Sequence, residues 1–275
     1  MVLFLSLTGH AICVRILGMN FSEQVLPIVR NVREILLPHW GKAEVIRNKA
    51  KRATDVVTEF DVKVEAYLIS ELIKIDPSIK FVGEEGGGSR KADRFWLIDP
   101  IDGTSHFVRG LPFCTTMLAL IENGEISFSA IYDFVNDKMY WAEKGRGAFE
   151  GKNKISVSSR GVENAYIGCE VNTSNEKNKE ILMQIRNKMP TLQTISAGYE
   201  YILVATGMIE GRIQYEPYGH DYDFTPGSLL VAEAGGIVRN IGSNSFDYNN
   251  LNSIAANPNI YKELTEGENA IFPIE

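Results

Sequence analysis

The stretch "FWLIDPIDGTSHFVRG", residues 95–110, decides how the rest of the chain is read. Phe95 to Ile98 form a short apolar run that reads as a strand and ends on Asp99. Asp102 follows three residues later, with Pro100 and Ile101 between. Proline holds its own φ near about −65°. Such a turn can gather Asp99, the Ile101 carbonyl and Asp102 around one point. Gly103-Thr104-Ser105 comes next, and the glycine lets a ligand approach the backbone closely. A helix that starts here would aim its free N–H groups and dipole at that same point, which makes an anion site.

Other acidic residues also close apolar runs: Asp61, the pair Glu84-Glu85, and the pair Asp221/Asp223. Each alone reads as a solvated turn residue, and for Asp221 a polar loop is the preferred reading. Together they imply more. Two like charges about 4 Å apart repel by roughly 4 kcal/mol at an effective dielectric near 20. A cluster of carboxylates must therefore take up protons or bind cations. Hard oxygen ligands on short side chains suit Mg²⁺ or Mn²⁺. His10, His39, His106 and His220 show no metal-ligand spacing, and neither do Cys13, Cys114 and Cys169, which argues against zinc. Metals beside an anion pocket point to phosphate. "GRGAFEG" (145–151) misses the dinucleotide-binding spacing and reads as a hairpin. An EF-hand loop is excluded by the proline and by the lack of a suitably placed bidentate Glu.

Composition sets the frame. With 275 residues, 44% hydrophobic and 23% charged, the chain reads as an ordinary globular protein with a sizeable core. A net charge of −7 argues against a nucleic-acid face. The scattered, odd-numbered cysteines read as reduced thiols in a cytoplasmic protein. Val2 to Leu7 is apolar, but no basic residue precedes it, and Arg15 interrupts a run too short to span a bilayer. A signal peptide is the alternative. The preferred reading makes residues 1–18 an unstructured extension or misplaced start, with the domain beginning near Met19. No membrane span is expected.

Ser22-Glu23 opens a helix carrying Val25, Ile28, Val29, Val32, Ile35 and Leu36, although Pro27 suggests a later start. Thr58 and Asp61 resemble a capping box for a helix that buries Val64, Tyr67, Leu68, Leu72 and Ile75 and stops at Asp76-Pro77. Lys80 to Gly83 reads as a strand, then "GGGSRKADR" as a polar loop. Phe113 to Ser158 reads as an antiparallel meander. Beyond it, strand-like and helix-like segments alternate to the end. Two closely packed lobes are expected, 19–160 carrying the metal site and 161–275 completing it.

Five segments together resemble the inositol monophosphatase family, part of the lithium-sensitive, Mg²⁺-dependent phosphatase superfamily. They are "VVTEFD" (56–61), "GEEGG" (83–87), "WLIDPIDGTSHFVRGLPF" (96–113), "EKGRGAFEGKNKISVS" (143–158) and "YDFTPGSLLVAEAGGIV" (222–238). The resemblance runs from about Met19 to the end. It implies an α/β (α+β) fold layered α-β-α-β-α. It also implies a phosphomonoesterase for a small polyol or sugar phosphate, working by direct attack of water. By the same resemblance Glu84, Asp99 and the Ile101 carbonyl hold one metal, Asp99, Asp102 and Asp223 a second, and Glu84 faces a third. Two or three Mg²⁺ ions are implied, with Mn²⁺ as a substitute and Li⁺ or Ca²⁺ as inhibitors. Thr104, backed by Asp61, orients and deprotonates the water. The Gly103 and Thr104 amides grip phosphate, and Ser196, Ala197 and Glu216 lie at the substrate. Glu85 reads as a partner of the ligands rather than as one, and Lys49 and Lys51 either straddle a position that is basic in the family or belong to a solvated charge run, "RNKAKR" (47–52).

The chain departs from the family pattern at Tyr222, which stands where Trp is usual, and at Thr225-Pro226, where small residues are usual. Pro226 suits a first-turn helix position. His106 stands where Asn is common and could cap the helix, touch substrate or do neither. Histidinol-phosphate, fructose 1,6-bisphosphate and 3′-phosphoadenosine 5′-phosphate are alternative substrates. A regulatory binding protein on the same fold is the non-enzymatic alternative. A homodimer is implied by the family, with Phe128, Phe134 and Trp141 as interface candidates, though core is the preferred reading for them.

Overall fold

The computed structural model describes residues 20–48, 56–194 and 196–274. The proposed extension 1–18 and the pair Lys49/Lys51 lie outside them.

The first helix, α1 (Phe21–Leu36), is capped by Asn20, whose backbone N–H donates to Glu23 Oε2 at 2.9 Å. It starts at Phe21 and runs straight through Pro27, so the expectation of a later start is wrong. Burial of Val25, Val29, Val32 and Leu36 outweighs the one backbone bond that proline removes. The short strands β1 (Arg47–Asn48) and β2 (Val56–Val57) pair antiparallel. α2 (Glu59–Ile75) follows with the expected capping box: Asp61 Oδ2 accepts from the Thr58 N–H at 2.7 Å, and the Thr58 hydroxyl accepts from the Phe60 N–H. Val64, Leu68 and Leu72 are buried, as the spacing predicts.

A seven-stranded sheet then forms almost in chain order: β3 (Lys80–Gly83), β4 (Arg94–Asp102), β5 (Thr115–Glu122), β6 (Glu125–Asp133), β7 (Lys138–Glu143), β8 (Gly147–Glu150) and β9 (Asn153–Lys154). Only β3 and β4 are parallel. The short α3 (Thr104–Arg109) sits between β4 and β5. The chain next makes β10 (Ile167–Val171), α4 (Glu176–Lys188), β11 (Thr191–Leu192), α5 (Ala197–Ala205), β12 (Gly211–Tyr215), α6 (Asp221–Glu233), β13 (Ile237–Asn240), β14 (Ser253–Ala256) and α7 (Pro258–Thr265). Its five strands form a second sheet in the order β11-β10-β12-β14-β13.

Strand alternation distributes side chains between layers. Trp96, Ile98, Leu118, Leu120, Phe128 and Tyr132 pack against α1 and α2. Met117, Ile131, Tyr140 and Ala142 point the other way, onto α5 and α6. Val238 and Ala255 of the second sheet meet α5 and α6 from beyond, and Ile213, Ile254 and Ala256 turn outward to α4 and α7. The result is five layers, α-β-α-β-α. Phe128 and Phe134 are fully buried core, and Trp141 packs half-buried on it. Cys114 and Cys169 are buried free thiols.

Pro27 is exposed inside α1, where it withholds a backbone donor. Pro27→Ala is expected to stabilise the fold by about 1–3 kcal/mol, read as a higher denaturation midpoint with unchanged cooperativity. No gain would mean that the helix is kinked to suit its neighbours.

Candidate active site

The acidic stretch is not a turn after a strand but the end of the strand itself. β4 pairs Asp99 with Met117 and Asp102 with Thr115, so three steps on one strand match two on the other. This is a β-bulge at Pro100-Ile101. The extra residue moves Asp102 onto the face that Asp99 already occupies. Ile101 points to the opposite side, into the α1/α2 core. Proline fits because it has no N–H to lose, and its carbonyl accepts from the Thr116 hydroxyl at 2.8 Å.

Asp102 is then tied to a helix start. Its Oδ1 accepts from the Ala197 N–H at 3.1 Å. Its Oδ2 accepts from the Ser196 hydroxyl at 2.6 Å, the Gly198 N–H at 2.8 Å and the Thr115 hydroxyl at 3.1 Å. The carboxylate therefore caps α5. A Cβ on Gly198 would lie 2.2 Å from Met117 Sδ and 2.9 Å from Asp102 Oδ2, so only glycine allows this approach. Ser196 and Ala197 line the cavity, and their donors are turned onto Asp102.

Asp223 enters from the start of α6, where its Oδ2 accepts the His220 N–H. Ligand oxygens of Asp99, Asp102 and Asp223 lie within 4.8 Å of one another. Burial and the neighbouring charges of Glu84, Asp223 and Asp102 push the Asp99 carboxyl well above the usual range. Burial, then Glu84, does the same to Asp223. Burial also raises Asp102, against the pull of its four donors. Asp99 Oδ1 is buried without a hydrogen-bond partner among the described residues. An all-oxygen cluster with an orphaned buried carboxylate oxygen fits a hard divalent cation.

Glu84 follows β3 on a turn held by Glu65. The Glu65 carboxylate accepts the N–H of Glu85 at 2.9 Å and of Gly86 at 2.6 Å. Glu85 pairs with Arg47 and does not line the cavity. Asp61, fully buried, accepts the Thr104 hydroxyl at Oδ1, 2.8 Å away; the same hydroxyl is 2.9 Å from the Ile101 carbonyl. Gly103 has φ +81°, and a Cβ there would sit 2.6 Å from the Phe113 carbonyl. His106 Nδ1 is 2.7 Å from that carbonyl; the ring is buried and outside the cavity, so it braces the loop.

Three sequence expectations are corrected. Asp221 is not a solvated loop residue: it is the first residue of α6, buried, and clamped by both Nε and Nη2 of Arg90. Pro226 lies in the second turn of α6 rather than the first. Glu216 is exposed and outside the cavity; its Oε2 accepts the Asn178 amide at 2.8 Å.

The cavity, about 370 Å³, is lined by Glu84, Asp99, Asp102, Gly103, Thr104 and Asp223 on the acidic side. Glu170, Glu200, Arg212 and Tyr218 also line it and were not read from sequence as functional. A signal was present. Glu170 and Glu200 each interrupt an apolar run ("YIGCEV", "AGYEYILVA"), and Glu65 falls on the apolar stripe of α2; Arg212, in "EGRIQYE", carries no such mark.

The inositol monophosphatase family profile matches residues 21–272. The chain belongs to that family. It is 34% identical over 236 residues to human inositol monophosphatase 1, covering 80% of this chain and 84% of the human one. It is 29% identical over 253 residues to the fructose-1,6-bisphosphatase/inositol-1-monophosphatase of Thermotoga maritima, covering 92% and 96%. Among solved structures, a T. maritima IMPase superposes with TM-score 0.80 at 28% identity, covering 89% of this chain and 95% of that one. The SuhB extragenic suppressor protein of Bartonella henselae gives 0.78 at 27%, covering 86% and 94%. The family's members are metal-dependent phosphoric monoester hydrolases, so the chain is a hydrolase of that class. No described helix is long and apolar enough to cross a membrane.

The raised carboxyls carry a pH signature. Without metal, the folded state holds protons that the unfolded chain has already released above about pH 4. Stability therefore falls as pH rises from there through the folded-state values. Asp99→Asn is expected to stabilise the chelator-treated protein at pH 7.5 by about 1–3 kcal/mol, with a smaller effect at pH 5. An added divalent cation should raise the melting temperature of the unaltered protein but not of the variant. A variant less stable than the parent in chelator would contradict this.

Proposed function

We infer that the protein hydrolyses the phosphate monoester of a small polyol or sugar by direct attack of water, with Mg²⁺ held by Glu84, Asp99, the Ile101 carbonyl, Asp102 and Asp223. The observation that carries this reading is the pairing of two machines in one cavity: the buried carboxylate cluster and the Asp61–Thr104 hydrogen bond. Divalent cations bound there neutralise charge on the phosphoryl oxygens and acidify water.

The chain's own groups do the rest. Thr104 Oγ1 orients the attacking water and takes its proton as its own passes to Asp61 Oδ1, 2.8 Å away. Asp61 is held for this by the N–H and hydroxyl of Thr58, both at 2.7 Å from Oδ2. The Gly103 and Thr104 amides, at the start of α3, have no intrahelical acceptor and grip the phosphate. Ser196, Ala197 and Gly198 fix Asp102, so it cannot rotate away as charge develops. The cavity volume lies near the low end of small-molecule sites, about 300–1,000 Å³, which suits a small ester better than a nucleotide. No nucleophilic Cys or Ser is required, and no phosphoenzyme forms. The Asp61–Thr104 pair has no purpose in a protein that only binds, which disfavours the regulatory alternative.

Phosphate release from a panel of monoesters should require Mg²⁺, be supported by Mn²⁺, be abolished by chelator, and fall with Li⁺ or Ca²⁺. Thr104→Val should lower kcat by about 10²–10⁴-fold with KM little changed. A phosphorylated protein trapped by acid quench, or an active Asp102→Asn enzyme, would refute the mechanism.

A further inference from the structure

The wall of the cavity facing α5 and the second sheet holds a charge cluster that the hydrolytic machinery does not use. Arg212 is 2% exposed. Its guanidinium donates to Glu200 Oε2 at 3.1 Å, to Glu170 Oε2 at 2.8 Å and to the Gln214 amide oxygen. It lies between the rings of Tyr201 and Phe224, 5.0 Å from each centroid. Burial lowers the Arg212 pKa, but Tyr201, Glu200 and Glu170 more than offset this and keep it charged. Burial raises Glu200, against the pull of Arg212. Whether Glu200 is ionised or neutral, the three groups together carry no net positive charge.

Glu170 is the member of this cluster that reaches the open space. Its side chain is 22% exposed, against 2% for Arg212 and 4% for Glu200. Oε2 accepts from Arg212, and Oε1 accepts the Tyr218 N–H at 2.9 Å. A carboxylate has about four acceptor positions. Two hold the side chain still, and the others remain for a ligand. Glu216, which the sequence suggested for this work, is turned to Asn178 instead. Among the described residues, Arg212 is the one Lys or Arg on the cavity wall, and it is already matched by Glu170 and Glu200.

We propose that Glu170 is the specificity-determining residue: held rigid by Arg212 and the Tyr218 amide, it accepts hydrogen bonds from hydroxyls of the substrate's alcohol part, and so selects neutral, hydroxyl-rich monophosphates over esters with a second phosphate. The inference rests on the phosphatase reading above. A second phosphate on this wall would meet the Glu170 carboxylate, and among the described residues the one cation there, Arg212, is already engaged. A hydroxyl pair meets two free acceptors on a preorganised base.

The test compares Glu170→Gln with the unaltered enzyme, both full-length and with Mg²⁺. The substrates are myo-inositol 1-phosphate, p-nitrophenyl phosphate, fructose 1-phosphate and fructose 1,6-bisphosphate. Glu170→Gln should lose about 10–100-fold in kcat/KM on the inositol ester, mainly through KM. Its loss on p-nitrophenyl phosphate, whose leaving group has no hydroxyl to read, should be smaller by about tenfold. Equal losses on both, or no loss on the inositol ester, overturn the proposal. The unaltered enzyme should prefer fructose 1-phosphate to the bisphosphate, and this arm stands even if the variant does not fold. The reverse preference overturns the proposal. An unaltered enzyme that releases phosphate from none of the four overturns the phosphatase reading itself, and the selection with it.

Discussion

Everything at the centre of this protein answers one constraint: negative charge is packed where water cannot solvate it. Carboxylate oxygens of Asp99, Asp102 and Asp223 sit within 4.8 Å of one another, and Asp99 is 1% exposed. At that spacing each ionised pair repels by about 3.5 kcal/mol at an effective dielectric of 20. The fold offsets part of this through its helices. α2 begins beside Asp61, α5 begins on Asp102, and α6 begins with Asp221 and Asp223. Helix N-termini carry partial positive charge and unpaired N–H groups, so each stabilises the acid it meets. The remainder is left for cations, and Asp99 Oδ1 has no hydrogen-bond partner among the described residues.

The five-layer order follows from this arrangement. α5 and α6 must touch the acidic end of β4 and also cover both sheets, so they form the middle layer. Met117 and Thr115 below them, and Ala255 and Val238 above, make that layer the contact through which α5 and α6 bring Asp223 and the Ser196–Gly198 donors to the site laid down by the first half. Gly198 lets α5 approach closely, and a larger residue there would push α5 off Asp102 and the sheet together. Arg90, reaching from the loop after β3 to Asp221, ties the acidic turn to α6 on the other side.

The local parts of this plan were legible in the chain. The apolar period of α2, its Thr58 cap, the meander, and the D-P-I-D-G-T run all depend on residues close in sequence. Misreadings came where distant packing outweighed a local rule. Pro27 and Pro226 should break helices, yet Val25 and Val29 in one case, and Leu229 and Leu230 in the other, are buried deeply enough to carry the helix across. Asp221 looked solvated because its partner, Arg90, lies 131 residues away. Glu216 looked functional because it matches a family position at the substrate, but its backbone has φ +46° and its carboxylate goes to α4.

The same reasoning separates the two acidic groups in the cavity. Asp99, Asp102, Asp223 and Glu84 crowd like charge into one buried place, which favours uptake of protons or of a cation. Glu170 and Glu200 are the opposite case: they share a guanidinium that lies 5.0 Å from two ring centroids, so at least part of their charge is neutralised inside the protein. A buried ion pair is weak evidence for stability. It is better evidence for precision, because a carboxylate fixed at both oxygens presents its remaining lone pairs in set directions. On the proposed mechanism, catalysis belongs to the crowded cluster. Recognition belongs to the one anchored on Arg212, where an incoming hydroxyl meets acceptors that need not rearrange.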